Sequence, residues 1–347
     1  MKGHWPNALL PALNHASLML FVSVLLGFGL LSPRFLTPDN LLNILIQASS
    51  TAIVAVGMTF VLLTAGVDLS VGAIMFVSAA AAGKMTLAGV ALPWALVVMM
   101  LIGLGCGAVN ALLITRLGVM AFIATLGTLY LGRGLGLFIT ETRAMNLPEA
   151  FLWIGVARVP ILPLRALAGG STGWLEVPLP VLILAAVALL AHVILTRTPF
   201  GRQIYAVGND LEVARKAGIN PRRILASVYF ISGACAALGG ILSLAQLGAV
   251  SPTFGNQREF AAIAAAVLGG TSLFGGRGQV WPGTVLGAIL IQSVENGLVI
   301  VNADPYLYPL VTSAIIFLAV LIDSLRSGLL ERLRRRKIRV EENGSPA

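Results

Sequence analysis

Three sets of residues have side chains suited to chemistry. The first is ionisable and lies within or beside strongly apolar runs: Asp68, Arg133, Glu259 and Glu295. Charge at membrane depth is costly, so each reads as functional or paired. Asp68, Glu259 or Glu295 could take up a proton or a sodium ion, and Arg133 could pair internally with a carboxylate. The second set is uncharged. Gln47, Asn110, Thr125, Gln246, Gln292 and Asn296 are polar positions in apolar surroundings. With Asp68 they could hydrogen-bond a neutral polar solute along a path, or bridge neighbouring helices. The third set is Glu212, Ala214, Ala217 and Gly218, in a hydrophilic stretch at 198–223. Asn209 or Asp210 can cap a short helix through Ala217, and Gly218 can end it in the left-handed conformation. Leu211, Ala214 and Ala217, at i, i+3 and i+6, then form a small apolar stripe. So short a helix is unstable alone and suits docking into a partner's groove; a solvated loop helix is the alternative.

Enzyme signatures are missing. No G-x-x-x-x-G-K-[ST] phosphate loop and no G-x-S-x-G elbow occur. The nearest dinucleotide-like match, Gly103-x-Gly105-x-x-Ala108, lies inside an apolar run. Gly103-x-x-x-Gly107 and Gly132-x-x-x-Gly136 read instead as small-residue helix contacts. His4, His15 and His192 have no metal-ligand spacing, and Cys106 and Cys235 read as inert buried thiols. The expectation is a chain with no catalytic residues, no metal and no cofactor of its own.

The elements that must hold these residues are membrane helices. Of 347 residues 57% are apolar and 11% charged, with mean hydropathy +0.92. A soluble chain carries about 25% charged residues. At about 20 residues per span the apolar content sets a ceiling near ten helices. Candidate spans are Ala16–Leu31, Leu41–Thr64, Leu69–Gly83, Trp94–Leu113, Ala121–Thr140, Val177–Leu195, Ile224–Leu247, Phe260–Gly270, Trp281–Val301 and Leu307–Ile322. The first has only a weakly basic leader, with one lysine, and no A-x-A cleavage site after it, so it reads as an uncleaved span. Thr37-Pro38-Asp39-Asn40 opens the second, with Asp39 or Asn40 as N-cap. Two candidates, Leu69–Gly83 and Phe260–Gly270, are too short for a simple crossing. Gly66 and Gly72 mark the start of the first, and Gly269, Gly270, Gly275 and Gly276 the end of the second and the stretch beyond it, the pattern of discontinuous helices; ordinary tight connections are the alternative.

Of the 23 Lys and Arg residues, six lie in Arg197–Arg223 and seven in the basic tail at 324–347. Positive-inside places both segments, and both termini, in the cytoplasm. The net charge of +9 is then a topology signal with some anionic-lipid contact; basic residues flanking spans without an aromatic platform do not describe a nucleic-acid surface. The outward segment Glu141–Glu176 could fold over the mouth.

Glu212-Val213-Ala214-x-x-x-Gly218 resembles the E-A-A-x-x-x-G coupling loop of ABC importer permeases, with Val in place of the first Ala. The chain is similar, in particular, to the ribose/xylose/arabinose/galactose group of monosaccharide permeases. The matching stretches are Phe35-Leu36-Thr37-Pro38-Asp39-Asn40-Leu41-Leu42-Asn43, Ala55-Val56-Gly57-Met58-Thr59, Asp68-Leu69-Ser70-Val71-Gly72 and Asn110-Ala111-Leu112-Leu113-Ile114-Thr115. Further on come Phe122-Ile123-Ala124-Thr125-Leu126-Gly127-Thr128, Gly201-Arg202 with Ala206-Val207-Gly208, and Ala262-Ile263-Ala264-Ala265 leading to Gly269-Gly270-Thr271-Ser272-Leu273. They run in the family's order over 35–323. Ala65 stands where the family often has a second glycine, and Ala261 where many members have an acid after Glu259-Phe260.

The resemblance implies an all-α permease domain over 1–347 in a bacterial inner membrane, with a cytoplasmic coupling loop at 196–223. It implies a second permease copy or homologue, two ATPase subunits that bind ATP and magnesium, and a periplasmic sugar-binding protein. The solute would be a monosaccharide, for which uncharged polar residues suffice. An ion-coupled secondary transporter using Asp68, Glu259 or Glu295 is the alternative.

Overall fold

The computed structural model describes residues 16–163, 174–315, 317, 318 and 321. Proline writes much of the helix punctuation. Its missing N–H and fixed φ suit the first turn of a helix, and five helices open this way: α2 (Pro38–Leu63), α4 (Leu92–Thr115), α7 (Leu179–Arg197), α8 (Pro199–Asn209) and α10 (Pro221–Leu247). The others are α1 (Ala16–Leu31), α3 (Val71–Leu87), α5 (Ala121–Thr140), α6 (Glu149–Val156), α9 (Leu211–Lys216), α11 (Arg258–Leu268) and α12 (Val285–Ile300), the last preceded by a π turn at Val280–Thr284. Residues 307–315 are also helical.

Among the described residues six helices are long and apolar enough to cross a membrane: α2, α4, α5, α7, α10 and Val280–Ile300, with shorter apolar helices at Leu18–Leu31 and Val71–Leu87. The chain is therefore a helical polytopic membrane protein. Each candidate span from the sequence coincides with a helix, although 316, 319, 320 and 322 of the tenth lie outside the described residues. Burial separates a centre from a periphery. In α2, 83% of the apolar window is buried, against 22% in α5 and 28% in α4 and α7. Outward apolar side chains on α4, α5 and α7 suit a lipid environment.

Without a strong hydrophobic drive between helices in lipid, close approach depends on small residues. Gly103 and Gly107 of α4 lie against the backbone of α10 at Gly233 and Tyr229. Gly132 and Gly136 of α5 lie against Ala73 and Phe76 of α3. Both small-residue spacings in the sequence are thus helix contacts.

The two short spans are broken helices. α3 is 17 residues long and follows a non-helical stretch at 64–70; α11 has 11 residues. At 1.5 Å per residue α11 is about 16 Å long, roughly half a hydrocarbon core. The breaks are buried. Asp68, Ser70, Thr271 and Ser272 are all at most 2% exposed. Gly72 at the start of α3 meets Gly255, on the approach to α11, and Glu259 in its first turn.

The connections sort onto two faces. Met145–Asn146 pairs antiparallel with Ala249–Val250 (β1 with β4), and Lys84 and Glu141 form a 2.9 Å ion pair. On the opposite side, the Gly276 amide donates to the Leu63 carbonyl at 2.9 Å, and the Tyr205 hydroxyl to the Gly278 carbonyl at 2.9 Å. Successive crossings demand this alternation. On the first face, Glu141–Glu176 includes β1, α6 and the paired strands β2 (Arg158–Pro163) and β3 (Trp174–Pro178); residues 164–173 lie outside the described residues.

One boundary differs from the sequence reading. α2 begins at Pro38 after Thr37, and neither Asp39 nor Asn40 is its N-cap. With proline already suited to the first turn, the Asn40 amide is free for tertiary bonds, to the Phe35 carbonyl at 2.8 Å and Asn296 Oδ1 at 2.9 Å.

Candidate functional site

The polar residues of the spans divide into an open group and a closed one. The open group lines a cavity of about 940 Å³ bounded by α2, the start of α11, α12 and helix 307–315. That is within the roughly 300–1,000 Å³ of ligand sites. Helical spacing builds its walls. Asn43 and Gln47 are four apart on α2, and Gln292, Glu295 and Asn296 share one face of α12. Gln292 Nε2 donates to Gln47 Oε1 at 2.9 Å, and Gln47 Nε2 to Asn43 Oδ1 at 3.1 Å. Asn40 and Asn296 exchange amide bonds at 2.9 and 3.1 Å. A primary amide has two donors and a carbonyl with two lone pairs, so each keeps capacity for a hydroxylated solute.

Asn256, Gln257, Arg258, Tyr308, Thr312 and Ser313 complete the polar lining. The Arg258 guanidinium donates to Thr51 Oγ1 at 2.8 Å, and Glu295 is on the facing wall. The cavity therefore holds one cationic and one anionic side chain besides the neutral groups expected.

The closed group centres on Asp68, which is fully buried. Its carboxylate accepts from the Ser70 amide at 3.0 Å, Ser70 Oγ at 2.5 Å and Ser232 Oγ at 2.7 Å. Asn110 Nδ2 donates to Ser70 Oγ at 2.9 Å, and Thr128 Oγ1 to Asn110 Oδ1 at 2.8 Å. Thr125 Oγ1 reaches the Ala121 carbonyl at 2.9 Å and the Val67 carbonyl at 3.4 Å. These bonds fasten the break at 64–70 to α4, α5 and α10, and none of the three residues lines the cavity. Gln246 bridges α10 to α2 through the Ile46 carbonyl at 2.7 Å.

Arg133 is not at ion-pair distance from any carboxylate among the described residues. Its Nη1 donates to the Phe254 carbonyl at 2.6 Å, and its guanidinium carbon is 5.4 Å from the centre of the Phe76 ring. Glu259 is nearby across Gly72, with Oε2 buried and unbonded. Among the described residues the ion pairs are Lys84–Glu141 and Arg215–Glu212, and no group of three His, Cys, Asp or Glu could hold a metal. The exposed Glu141 carboxyl is held below the ordinary carboxylate range, chiefly by its hydrogen bond from Lys84.

The hydrophilic segment is two short helices with well-formed ends. Thr198 Oγ1 accepts from the Gly201 amide at 3.1 Å to cap α8. Asp210 Oδ1 accepts from Glu212 and Val213, both at 2.9 Å, to cap α9. At the far end Gly218 has φ +82°, and the Ile219 amide reaches the Ala214 carbonyl at 3.1 Å. The anticipated cap and terminator are both in place. The helix closes at Lys216, one residue early, with Ala217 outside it. The apolar stripe is different. Ala214 turns inward and is buried, while Leu211 and Val213 are 46% and 62% exposed. Packing onto α8 takes the central alanine of the stripe, so the outward face presents Leu211, Val213 and the Glu212–Arg215 pair.

Sequence reasoning passed over Asn40, Asn43 and Arg258. A signal was present for two of them: Asn40, Asn43 and Gln47 fall at i, i+3 and i+7. Arg258 opens a half-helix whose depth is fixed by its contacts with Thr51.

Comparison with known proteins agrees with this architecture. The family described as "Branched-chain amino acid transport system / permease component" matches residues 40–322. The ribose import permease protein RbsC of Escherichia coli is 37% identical over 317 residues, covering 90% of this chain and 94% of its own. The D-allose transport system permease protein AlsC of Escherichia coli is 37% identical over 303 residues, covering 86% and 88%, and the xylose transport system permease protein XylH of Escherichia coli 34% over 338 residues, covering 84% and 86%. No solved structure matches the chain significantly. With most of its length matched and its helices broken and buried as a permease requires, this chain belongs to the branched-chain amino acid transport system / permease component family of membrane proteins.

Proposed function

We propose that this chain is the membrane-spanning subunit of an ATP-driven importer for a monosaccharide, a pentose or hexose delivered by a periplasmic binding protein. The observation that carries the substrate reading is the cavity walled by the amides of Asn43, Gln47, Gln292 and Asn296. Paired donors and acceptors match the hydroxyls of a neutral sugar, and the relatives named for ribose, allose and xylose transport point the same way. The chain crosses a bacterial inner membrane about ten times with both termini cytoplasmic. It pairs with a second permease, itself or a homologue, and ATPase subunits seat on Glu212, Ala217 and Gly218, with Leu211 and Val213 as the apolar contacts and the buried Ala214 holding the helix in place beneath them. ATP and magnesium belong to those subunits.

The test is uptake into proteoliposomes holding the permease with its ATPase and binding protein. ATP-dependent accumulation of D-ribose, D-allose or D-xylose, but not L-leucine, is expected. Leucine uptake would move the assignment to zwitterions, with Arg258 and Glu295 as counter-charges. Sugar uptake by the permease alone in a proton or sodium gradient would establish the ion-coupled alternative, with Glu295 facing the cavity.

A further inference from the structure

The last turn of α8 is wedged between the two helix breaks, with glycines and the short side chains of Ala65 and Asn209 in the contact. A Cβ on Gly208 would fall on the Leu63 carbonyl oxygen and the Gly276 amide, which are bonded to each other at 2.9 Å. Gly275, at φ +82°, lies against the Gly208 carbonyl, and Gly276, at φ +69°, against the short Asn209 side chain and its Cα. Two turns of chain thus meet a third through backbone at Gly208 and Gly275 and through the Asn209 side chain at Gly276, and Tyr205 adds a strut to the Gly278 carbonyl at 2.9 Å. Burial pushes the Tyr205 phenol above its ordinary value, so it remains a donor.

Each member of this junction leads to a different functional part. Asp210 alone separates α8 from α9. Residues 64–70 lead from Leu63 to the Asp68 network and α3. Residues 269–279 join α11 to Val280–Ile300, and these carry Arg258, Gln292 and Glu295 of the cavity. Close-packed backbone has low compressibility and transmits displacement, whereas a side-chain cushion would absorb it.

We propose that Tyr205 and Gly208 are positioning residues that hand displacement of α9 to both helix breaks, so that the breaks and the coupling segment move as one body. The inference rests on reading 196–223 as the ATPase contact. Its test uses the assembled transporter with the same sugar panel, and three variants. Tyr205→Phe removes only the strut and is expected to lower the maximal uptake rate about 5-fold, the worth of one hydrogen bond, with KM unchanged. Gly208→Ala is expected to co-purify with the ATPase at the normal ratio, to lose stimulation of ATP hydrolysis by the loaded binding protein, and to slow uptake at least about tenfold.

Val213→Asp, on the outward face of α9, is expected to lose the ATPase itself. If it does, and both junction variants transport at the normal rate, the junction has no transmitting role. If Val213→Asp keeps its ATPase and normal uptake, the coupling segment is misassigned and the junction proposal falls with it. If Gly208→Ala fails to reach the membrane, Tyr205→Phe decides: normal uptake overturns the proposal, and a rate loss at constant KM upholds it.

Discussion

Asp68 has every mark of a functional carboxylate in sequence, being a lone acid in an apolar neighbourhood. The structure gives it a fixed job. Three donors converge on its two oxygens, and its neighbours reach Asn110 and Thr128. Such a group anchors the break at 64–70, where irregular backbone must be held at membrane depth. Asp68→Ala leaves Ser70 and Ser232 hydroxyls buried without their acceptor, at about 1–3 kcal/mol each. The detergent-solubilised permease should melt distinctly lower by size-exclusion thermal shift. Asp68→Asn keeps one acceptor oxygen and should fall between that variant and the unaltered chain. An unshifted Asp68→Ala would mean that the network carries no stability and would return Asp68 to the solute-handling candidates.

Among the elements, glycine spacing does two different things, and the structure separates them. On α4, Gly103 and Gly107 face α10, whereas Gly105 faces open space. A Cβ on Gly233 would meet the Gly103 carbonyl and the Gly107 Cα, both backbone, so Gly233→Ala must push α4 and α10 apart. An overpacked contact of this kind costs about 1–3 kcal/mol. Gly105→Ala meets nothing and gains helix propensity, so it should be neutral or slightly stabilising. Equal thermal shifts for the two would refute the contact. The sequence alone makes this packing legible, as it does the two short spans, because both follow from spacing along one helix. It also marks Asp210 and Gly218 as the ends of α9, since capping is local. The Asn40–Asn296 pair is invisible there, because its partners are 256 residues apart. The inward turn of Ala214 is hidden for the same reason: which side of a six-residue helix is covered depends on α8, and a periodicity of two turns cannot say.

For the molecule as a whole, the charge asymmetry and the loop contacts are independent arguments about sidedness. Lys84–Glu141 and the β1–β4 pairing join connections on one face; Leu63–Gly276 and Tyr205–Gly278 join them on the other. The contacts fix which connections share a face, and under the proposed topology the basic residues of Arg197–Arg223 mark the cytoplasmic one. One label on each face therefore orients the chain. Arg143 and Lys216 are both exposed, while the native thiols are buried at Cys235 and half-buried at Cys106. Arg143→Cys should react with a membrane-impermeant maleimide in spheroplasts, and Lys216→Cys only in inverted vesicles. The reverse pattern would keep the fold and invert the topology, removing α9 from the side where ATP is hydrolysed. Reaction of both from one side would break the alternation of faces itself, and with it the junction that ties α8 to the two helix breaks.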